Sequence, residues 1–448
     1  MRTTTTVLSV FVLGLSSVMA QQPPLGPTLS YDDAITRART YNPELRERAS
    51  TTRASRAAVS EAKTGLIPRV DLNYDLQRNL IIPTTPIPGN ALDPNGDPNV
   101  ITPVRFATGW TSTAGVLASF TVFDPATYSV VEEREIRSKL DETEEKITET
   151  DIVTEAGLAY TDVVISREQQ RLAAEDTLNA YRAFLVVRDQ HEVGRRTIIE
   201  LNVARVELDA AATRFHDAGR VLRSSEQRLL YHVGTDLSEN TVPELTDSLP
   251  SLFQRFQSIP EAPYNDSLSA TFVKYTQQAE LTSAQKSYTS LGFIPTITLT
   301  GYYGANYFNN VLMLGNSDAW YGNSYLQLSV RVPLTNAFER SYTVSKLSSQ
   351  LDADRARLES SMNKRRYDLE RSRADHRFYR EDVMRKRSTM DLTQRSFEEA
   401  LHQAERGQLL ASELSQAEFT AKQAKTEYLR SIYNLIQAAL TIQRITRS

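Results

Sequence analysis

The sequence predicts a mixed α and β membrane protein built from two repeats, each a β-hairpin followed by a long helical hairpin. Three observations carry this: where the prolines fall, four segments of alternating polarity, and motifs that recur in the two halves of the chain. The 448 residues suffice for two to three domains. With 24% charged residues and a net charge of −4, the chain lacks the concentrated basic stripe of a nucleic-acid binder. Mean hydropathy is −0.40, and no window beyond the N-terminus approaches the ~20 apolar residues of a spanning helix. A helical membrane protein is therefore excluded.

The N-terminus reads as a secretory signal over residues 1–20. Arg2 supplies positive charge, Val7 to Leu15 an apolar stretch, and Val18-Met19-Ala20 a small-residue cleavage site before Gln21. Cysteine is absent, which excludes disulfides, thiolate metal sites and cysteine nucleophiles. It also excludes lipid anchoring through an N-terminal cysteine, so membrane attachment must come from the fold.

All 18 prolines fall outside two stretches, Ala126 to Val242 and Leu334 to Ser448. Proline costs about 3 kcal/mol inside a helix, so these stretches can hold long helices. Apolar residues recur at helical spacing in both, as at Ile147, Ala156, Tyr160, Val163 and Val164, and at Tyr428, Ile432, Leu435 and Ile436. Each stretch predicts two antiparallel helices, reversing near Gly194 and near Gly407. A helix from Ala126 to about Val193 would be ~100 Å long at ~1.5 Å per residue. That length implies a coiled coil or a tubular assembly, and periodicity alone leaves both open.

The segments between change period. Val70, Leu72, Tyr74 and Leu76 alternate with Asp71, Asn73, Asp75 and Gln77. Val116 to Val122, Thr296 to Thr300 and Leu326 to Leu334 alternate in the same way, which places one set on each face of a strand. The strands form two hairpins, about 66–124 and about 293–334. The first is joined by a Pro/Gly/Asn-rich loop from Ile81 to Pro103, the second by a shorter loop around Asn309 to Ala319. Tyr302, Tyr303, Tyr307, Phe308, Trp320, Tyr321 and Tyr325 crowd the second hairpin's loop end and Trp110 lies near the first, as the girdle of a transmembrane barrel would require. A soluble sandwich would show the same alternation. Four strands cannot close a barrel, since the smallest need ~8, and an open edge in lipid costs several kcal/mol per backbone group. Several chains must then share one barrel.

The halves match. Gly65-Leu66-Ile67-Pro68 enters the first hairpin and Gly292-Phe293-Ile294-Pro295 the second. Gly194, Glu200, Leu201 and Ala204 are echoed by Gly407, Glu413, Leu414 and Ala417. These echoes predict a first repeat over 21–240, a linker over 241–267 and a second repeat over 268–448.

Tyr41-Asn42-Pro43-Glu44-Leu45, followed by a helix into Gly65 to Leu72, resembles the N-terminal signature of TolC-type outer-membrane efflux proteins. Val193 to Ala204 is similar to that family's first helical-tip turn, and Gly407 to Ala417 to its second. Ala421-Lys422-Gln423-Ala424 through Leu435 is similar to its last helix, so the resemblance runs from about Leu29 to the C-terminus. The resemblance implies a homotrimer with a 12-stranded transmembrane β-barrel, four strands per chain, in the outer membrane of a Gram-negative bacterium. A long α-helical barrel would continue it through the periplasm. An equatorial region of mixed structure would come from about Val233 to Asp266 and the chain ends, with Gln254 to Pro263 irregular and Pro-bearing in character. Such a duct serves tripartite efflux or type I secretion, its partners a periplasmic adaptor protein, an inner-membrane pump and outer-membrane lipid. By position, Glu200 and Glu413 correspond to acidic residues that narrow the family's periplasmic aperture. Gln416 stands where some relatives carry a second acid, and Leu409 where some carry a basic residue. Both glutamates are equally placed to be ordinary first-turn helix charges. Gly194, Arg195, Arg196 and Thr197, with Gly407, Gln408 and Leu409, form the turns that would meet the adaptor, and glycine reverses helices whatever binds there.

Two other classes remain in view. An enzyme would need a catalytic constellation, but His191, His216, His232, His376 and His402 show no metal-ligand spacing, and no cofactor motif stands out. A trimeric coiled-coil surface protein without a pore would satisfy the helical stretches but not the alternating strands or the repeat. Conductance separates pore from stalk. The cargo is not written in the sequence.

Overall fold

The computed structural model describes residues 26–447 apart from 89–90, 92–96, 98, 236–242, 260–264, 292–293, 334–336, 407 and 410. The signal segment 1–20, Gly292-Phe293, Leu334 and Gly407 therefore lie outside the described residues. In chain order the elements are β1 (Thr28–Leu29), α1 (Tyr31–Tyr41), α2 (Pro43–Thr64), β2 (Arg69–Arg78), β3 (Thr85–Pro88), β4 (Ile101–Val104), β5 (Trp110–Phe123), α3 (Pro125–Glu192) and α4 (Ile198–His232). There follow β6 (Glu244–Leu245), α5 (Leu249–Phe256), α6 (Ala270–Ser290), β7 (Thr296–Asn309), β8 (Trp320–Arg331), α7 (Ala337–Glu405) and α8 (Ala411–Arg447). α3 and α7 run 68 and 69 residues without a proline after the first, the length that the proline map predicts. Among the described residues no helix is long and apolar enough to cross a membrane.

The chain divides into two compact units. One comprises 48–147 and 265–366 and carries a four-stranded antiparallel sheet in the order β2-β5-β7-β8. The two hairpins are joined through β5 and β7, paired from Trp110↔Asn309 to Phe123↔Ile297 with a bulge near Thr121. β2 and β8 are left as edges. The loop expected between Ile81 and Pro103 contains a ladder of its own, β3 against β4, with Pro86 opposite Pro103. A proline cannot donate to a ladder, which confines such pairs to the margins of a sheet.

In the same unit, α2 lies along the start of α3 through ion pairs: Arg48–Glu144 at 3.1 Å, Arg56–Glu142 at 2.8 Å and Lys63–Glu135 at 2.8 Å. Each is partly exposed and contributes ~0–1 kcal/mol. Inside the helical layer polar contacts are buried beside Leu140, Leu351 and Met362. Asp354 accepts from the Thr282 hydroxyl at 2.7 Å, and Gln285 donates to Glu133 at 3.1 Å. Helices polar on most of their circumference have little to bury against one another within one chain.

The other unit comprises 26–47, 148–264 and 367–447. Its core gathers Tyr31, Tyr160, Val163, Leu229, Leu252, Phe256, Ile432, Leu435 and Ile436 from five helices, and each is nearly or wholly buried. Asp247 organises it. Its carboxylate accepts from the Tyr31 backbone N–H at 2.8 Å, within the first turn of α1, and lies 2.8 Å from the Tyr160 hydroxyl. Burial pushes the Tyr31 hydroxyl up to about 12 and raises that of Tyr160 further, so both stay protonated. Arg255 stacks on the Tyr31 ring, 4.5 Å from its centroid, and pairs with Asp32. β1 and β6 add a short parallel pair, Thr28↔Glu244 and Leu29↔Leu245, which no sequence period announces. Within the stretch Gln254 to Pro263, Gln254 to Phe256 form the last turn of α5, and 260–263 lie outside the described residues. Ser248 caps that helix, Pro250 stands in the first turn where no N–H is needed, and Leu252 and Phe256 bury one face.

The Tyr41 to Leu45 signature proves to be a joint. Asn42 ends α1 and caps α2, its Oδ1 accepting from the Glu44 N–H at 2.9 Å. Its amide donates to the His232 carbonyl at the end of α4, at 3.0 Å. Gly234 follows with φ +73°, and a Cβ there would stand 2.4 Å from the Tyr41 carbonyl oxygen. Replacing Asn42 by alanine is expected to cost ~1–2 kcal/mol through the lost cap and the orphaned carbonyl. Gly234→Ala adds left-handed strain of ~1–2 kcal/mol to a backbone collision and should cost more. The denaturant midpoint of the detergent-extracted protein reads both, and unchanged midpoints would remove this joint as a source of stability.

Candidate functional site

Register decides what the sheet presents. Residues directly opposite on neighbouring strands share a face, so Val70, Leu72, Tyr74 and Leu76 continue through Ala118, Val116 and Ala114 on β5. The same face passes to Leu299, Gly301, Tyr303 and Ala305 on β7 and to Leu328, Leu326, Ser324 and Gly322 on β8. It is an apolar surface across all four strands, with Leu72 81% and Leu326 76% exposed. An exposed apolar face of this extent on a soluble monomer would be an aggregation hazard. The opposite face carries Asp71, Asn73, Asp75 and Gln77, then Thr113, Ser119, Asn306, Thr300, Asn323 and Gln327.

The aromatics divide between the two faces, which corrects the single girdle expected from their crowding. Trp110, Tyr303, Tyr307 and Trp320 lie on the apolar face. Tyr302, Phe308, Tyr321 and Tyr325 lie on the polar one, because neighbours in sequence point to opposite sides of a strand. Among the first group, Tyr307 is fully buried beneath the hairpin loop. Its hydroxyl donates to the Val311 carbonyl and accepts from the Met313 N–H, both at 2.8 Å. Trp320 Nε1 donates to the Leu314 carbonyl at 2.9 Å, and Arg78 stacks over Trp110. These are amphipathic side chains with an apolar body and a satisfied polar tip, as interfacial positions favour.

On the polar face Gly115 and Gly304 stand opposite each other, and the Tyr302 side chain crosses both. A Cβ on Gly115 would lie 2.5 Å from the Tyr302 hydroxyl, and one on Gly304 would lie 2.6 Å from it. That hydroxyl is buried and has no hydrogen-bond partner among the described residues. The ring stacks on Tyr325 with centroids 5.5 Å apart. Sequence reasoning missed this arrangement. The glycine pair was visible, but its register was not.

The first helical tip falls between α3 and α4. Gly194 adopts φ +75°, and the Arg195 N–H closes back on the Gln190 carbonyl at 2.8 Å. Thr197 caps α4 in a reciprocal box. The Glu200 N–H donates to Thr197 Oγ1 at 3.3 Å, and the Thr197 N–H donates to Glu200 Oε2 at 2.8 Å. Arg196 donates to Glu200 Oε1 at 2.6 Å and to Gln190 Oε1 at 3.0 Å. His191, which shows no metal-ligand spacing, donates through Nδ1 to the Arg196 carbonyl at 2.9 Å. At the second tip the Gln408 N–H meets the Gln403 carbonyl at 2.9 Å, the counterpart of the Arg195 closure. Leu409 is half-buried, and Glu413 is exposed in the first turn of α8.

The Glu200 carboxylate is lowered to about 2, first by the Thr197 backbone N–H and then by Arg196. A depressed carboxylate stabilises the fold above its ordinary value of 4.5 and ceases to as pH falls towards about 2. Hydrogen exchange at amides 197–201 is expected to be slower in the native protein than in Glu200→Gln at neutral pH. The two should converge between pH about 4.5 and about 2. Identical exchange at every pH would show that the box does not hold the tip.

Residues 34–235 match the outer membrane efflux protein family. Among solved structures, the Campylobacter jejuni CmeC outer membrane channel superposes with a TM-score of 0.76 at 13% identity, over 93% of this chain and 85% of that one. A Pseudomonas aeruginosa membrane protein gives 0.76 at 14% identity, with 93% of each chain covered. The outer membrane protein VceC of Vibrio cholerae gives 0.71 at 11% identity, over 93% and 96%. No curated protein matches the chain. The resemblance to TolC-type outer-membrane efflux proteins drawn from the sequence motifs is borne out by these matches.

Proposed function

We propose that this chain, with the fold of the outer-membrane channels and a match to the outer membrane efflux protein family, forms a homotrimeric export channel in the outer membrane. Three four-stranded sheets close a 12-stranded barrel, and the long helices continue it as a helical barrel in the periplasm. The observation that carries the proposal is the sheet itself. It has one apolar face, one polar face, and two edge strands whose backbone groups lack partners among the described residues. In lipid those edges cost several kcal/mol per group until another chain pairs with them. β2 and β8 run antiparallel within the sheet order, so the β8 edge of one copy can accept the β2 edge of the next. Cyclic repetition then removes every edge.

The two hairpins, each leading into a long helical hairpin, support a duplicated unit, with repeats over 21–240 and 268–448 about a linker at 241–267. The tips at Gly194 to Thr197 and Gly407 to Leu409 are the surfaces we assign to a periplasmic adaptor, through which an inner-membrane pump delivers cargo. In this reading the assembly serves tripartite efflux or type I secretion. Glu200 and Glu413 narrow the periplasmic aperture as a ring of carboxylates, a common device for binding cations and restricting passage. Glu200 suits that role in one respect: its depressed pKa keeps it ionised throughout the physiological range. The Arg196 pair offsets part of its field.

Two measurements test the proposal. Native mass spectrometry of the detergent-extracted protein should give a trimer, and planar bilayers should show discrete conductance steps. A pore-free stalk would give oligomers with no conductance. Within the channel, Glu200→Gln combined with Glu413→Gln should raise conductance or relieve block by divalent cations while the trimer persists. Unchanged values for both would leave the aperture assignment without support.

A further inference from the structure

Resting on the channel reading, we propose that the polar face of the β7–β8 hairpin is a binding track for planar aromatic cations. Four rings stand there in two pairs. Tyr302 and Tyr325 stack at 5.5 Å with planes 21° apart, and Phe308 and Tyr321 lie 6.1 Å apart. Tyr321 and Tyr325 are four residues apart on one strand, so the two platforms are separated by ~13 Å along the barrel wall. Phe308, Tyr321 and Tyr325 keep 45%, 57% and 47% of their surface exposed. Large rings left open on a polar face serve no packing purpose within the sheet. Aromatic faces attract cations and stack with flat ligands.

Charge selects among flat ligands. Register places Asp71 in the same cross-strand row as Tyr302 and Tyr325, and Asp75 in the row of Asn306 and Tyr321. Each platform thus shares its level with a carboxylate. The cations of this face, Arg69 and Arg331, lie on the helix side of both platforms. Arg69 pairs with Asp71 at 3.0 Å and offsets part of the charge at the Tyr302–Tyr325 level, while Asp75 stands at the level of Tyr321, farther from both. Barrel closure would set β2 of the next copy beside β8, bringing its Asp71 and Asp75 within a strand spacing or two of Tyr325 and Tyr321. Between the platforms the Gly304 row carries no ring of its own and Tyr302 lies flat across it, which leaves a flat ligand room to pass from one to the other.

The test is block of single-channel current in planar bilayers by ethidium, a flat aromatic cation, against tetraethylammonium, which carries equal charge without a ring. Both are added on the side that the hairpin loops face. Ethidium should block at ~10-fold lower concentration or better, the difference that a cation–π and stacking contribution of this size makes. Tyr321→Leu with Phe308→Leu should raise the half-blocking ethidium concentration ~10-fold and leave tetraethylammonium unchanged, and Tyr321→Phe should retain the block. Asp75→Asn should weaken block by both cations. Equal block by the two cations in a conducting channel, or ethidium block indifferent to the loss of the rings, overturns the track and leaves the channel standing. Absence of any conductance overturns the channel, and the track with it.

Discussion

Backbone hydrogen bonding at the edges of a four-stranded sheet is the constraint from which the rest of this architecture follows. Antiparallel strands satisfy half of their groups on each side, and among the described residues the outer sides of β2 and β8 pair with no strand. A soluble protein could leave such edges to water. A sheet with an apolar face across all four strands cannot, because the surroundings that suit that face offer no hydrogen bonds. In the proposed channel other copies supply the missing partners, and the helices of the same unit are sparing in apolar contacts too. α2, α3, α6 and α7 meet through ion pairs and hydroxyl contacts, which hold position while burying little apolar surface.

Stability concentrates elsewhere. Around Asp247 and Asn42, short connections tie the ends of α1, α2 and α4 to the faces of α3 and α8. These are the residues that have most to lose by substitution, since each satisfies backbone groups on two elements at once. A half-buried carboxylate holding a tyrosine hydroxyl and a helix N-terminus is costly unless its partners are present, and here both are. The exposed tips lie at the other extreme: local capping chemistry alone shapes the Gly194 turn, and nothing lies within 4 Å of a Cβ placed there.

Much of this was legible before any coordinates. Proline's exclusion from helices bounded α3 and α7 to within a few residues, and a period of two located β2, β5, β7 and β8. Both signals are local and repeat many times. What escaped was set by partners distant in sequence or by register. The β1–β6 pair consists of four residues joined across more than two hundred positions, too short to leave a period. α5 hid behind Pro250, which reads as a breaker until its first-turn position is known. At the tips, glycine marked the reversal, but the Arg196–Glu200 pair and the His191 contact depend on side-chain rotamers that spacing does not reveal. The division of the aromatics required pairing partners, since crowding in sequence says nothing about sides.

The tyrosine lying across two facing glycines has a historical consequence. A methyl group on Gly115 would meet the Tyr302 ring well inside contact distance, whereas one on Gly304 would first meet the Ala114 carbonyl oxygen at 2.4 Å, so the ring constrains Gly115 and the neighbouring backbone constrains Gly304. Gly115 and Tyr302 therefore form an epistatic pair beside a Gly304 that the backbone requires whatever the ring does. Any lineage that lost the ring first would leave a thin, unprotected patch of sheet, and any that gained a side chain first would expel the ring. Divergent descendants should thus preserve Gly115 and Tyr302 together or have exchanged them as a pair, with Gly304 kept in either case and single intermediates rare.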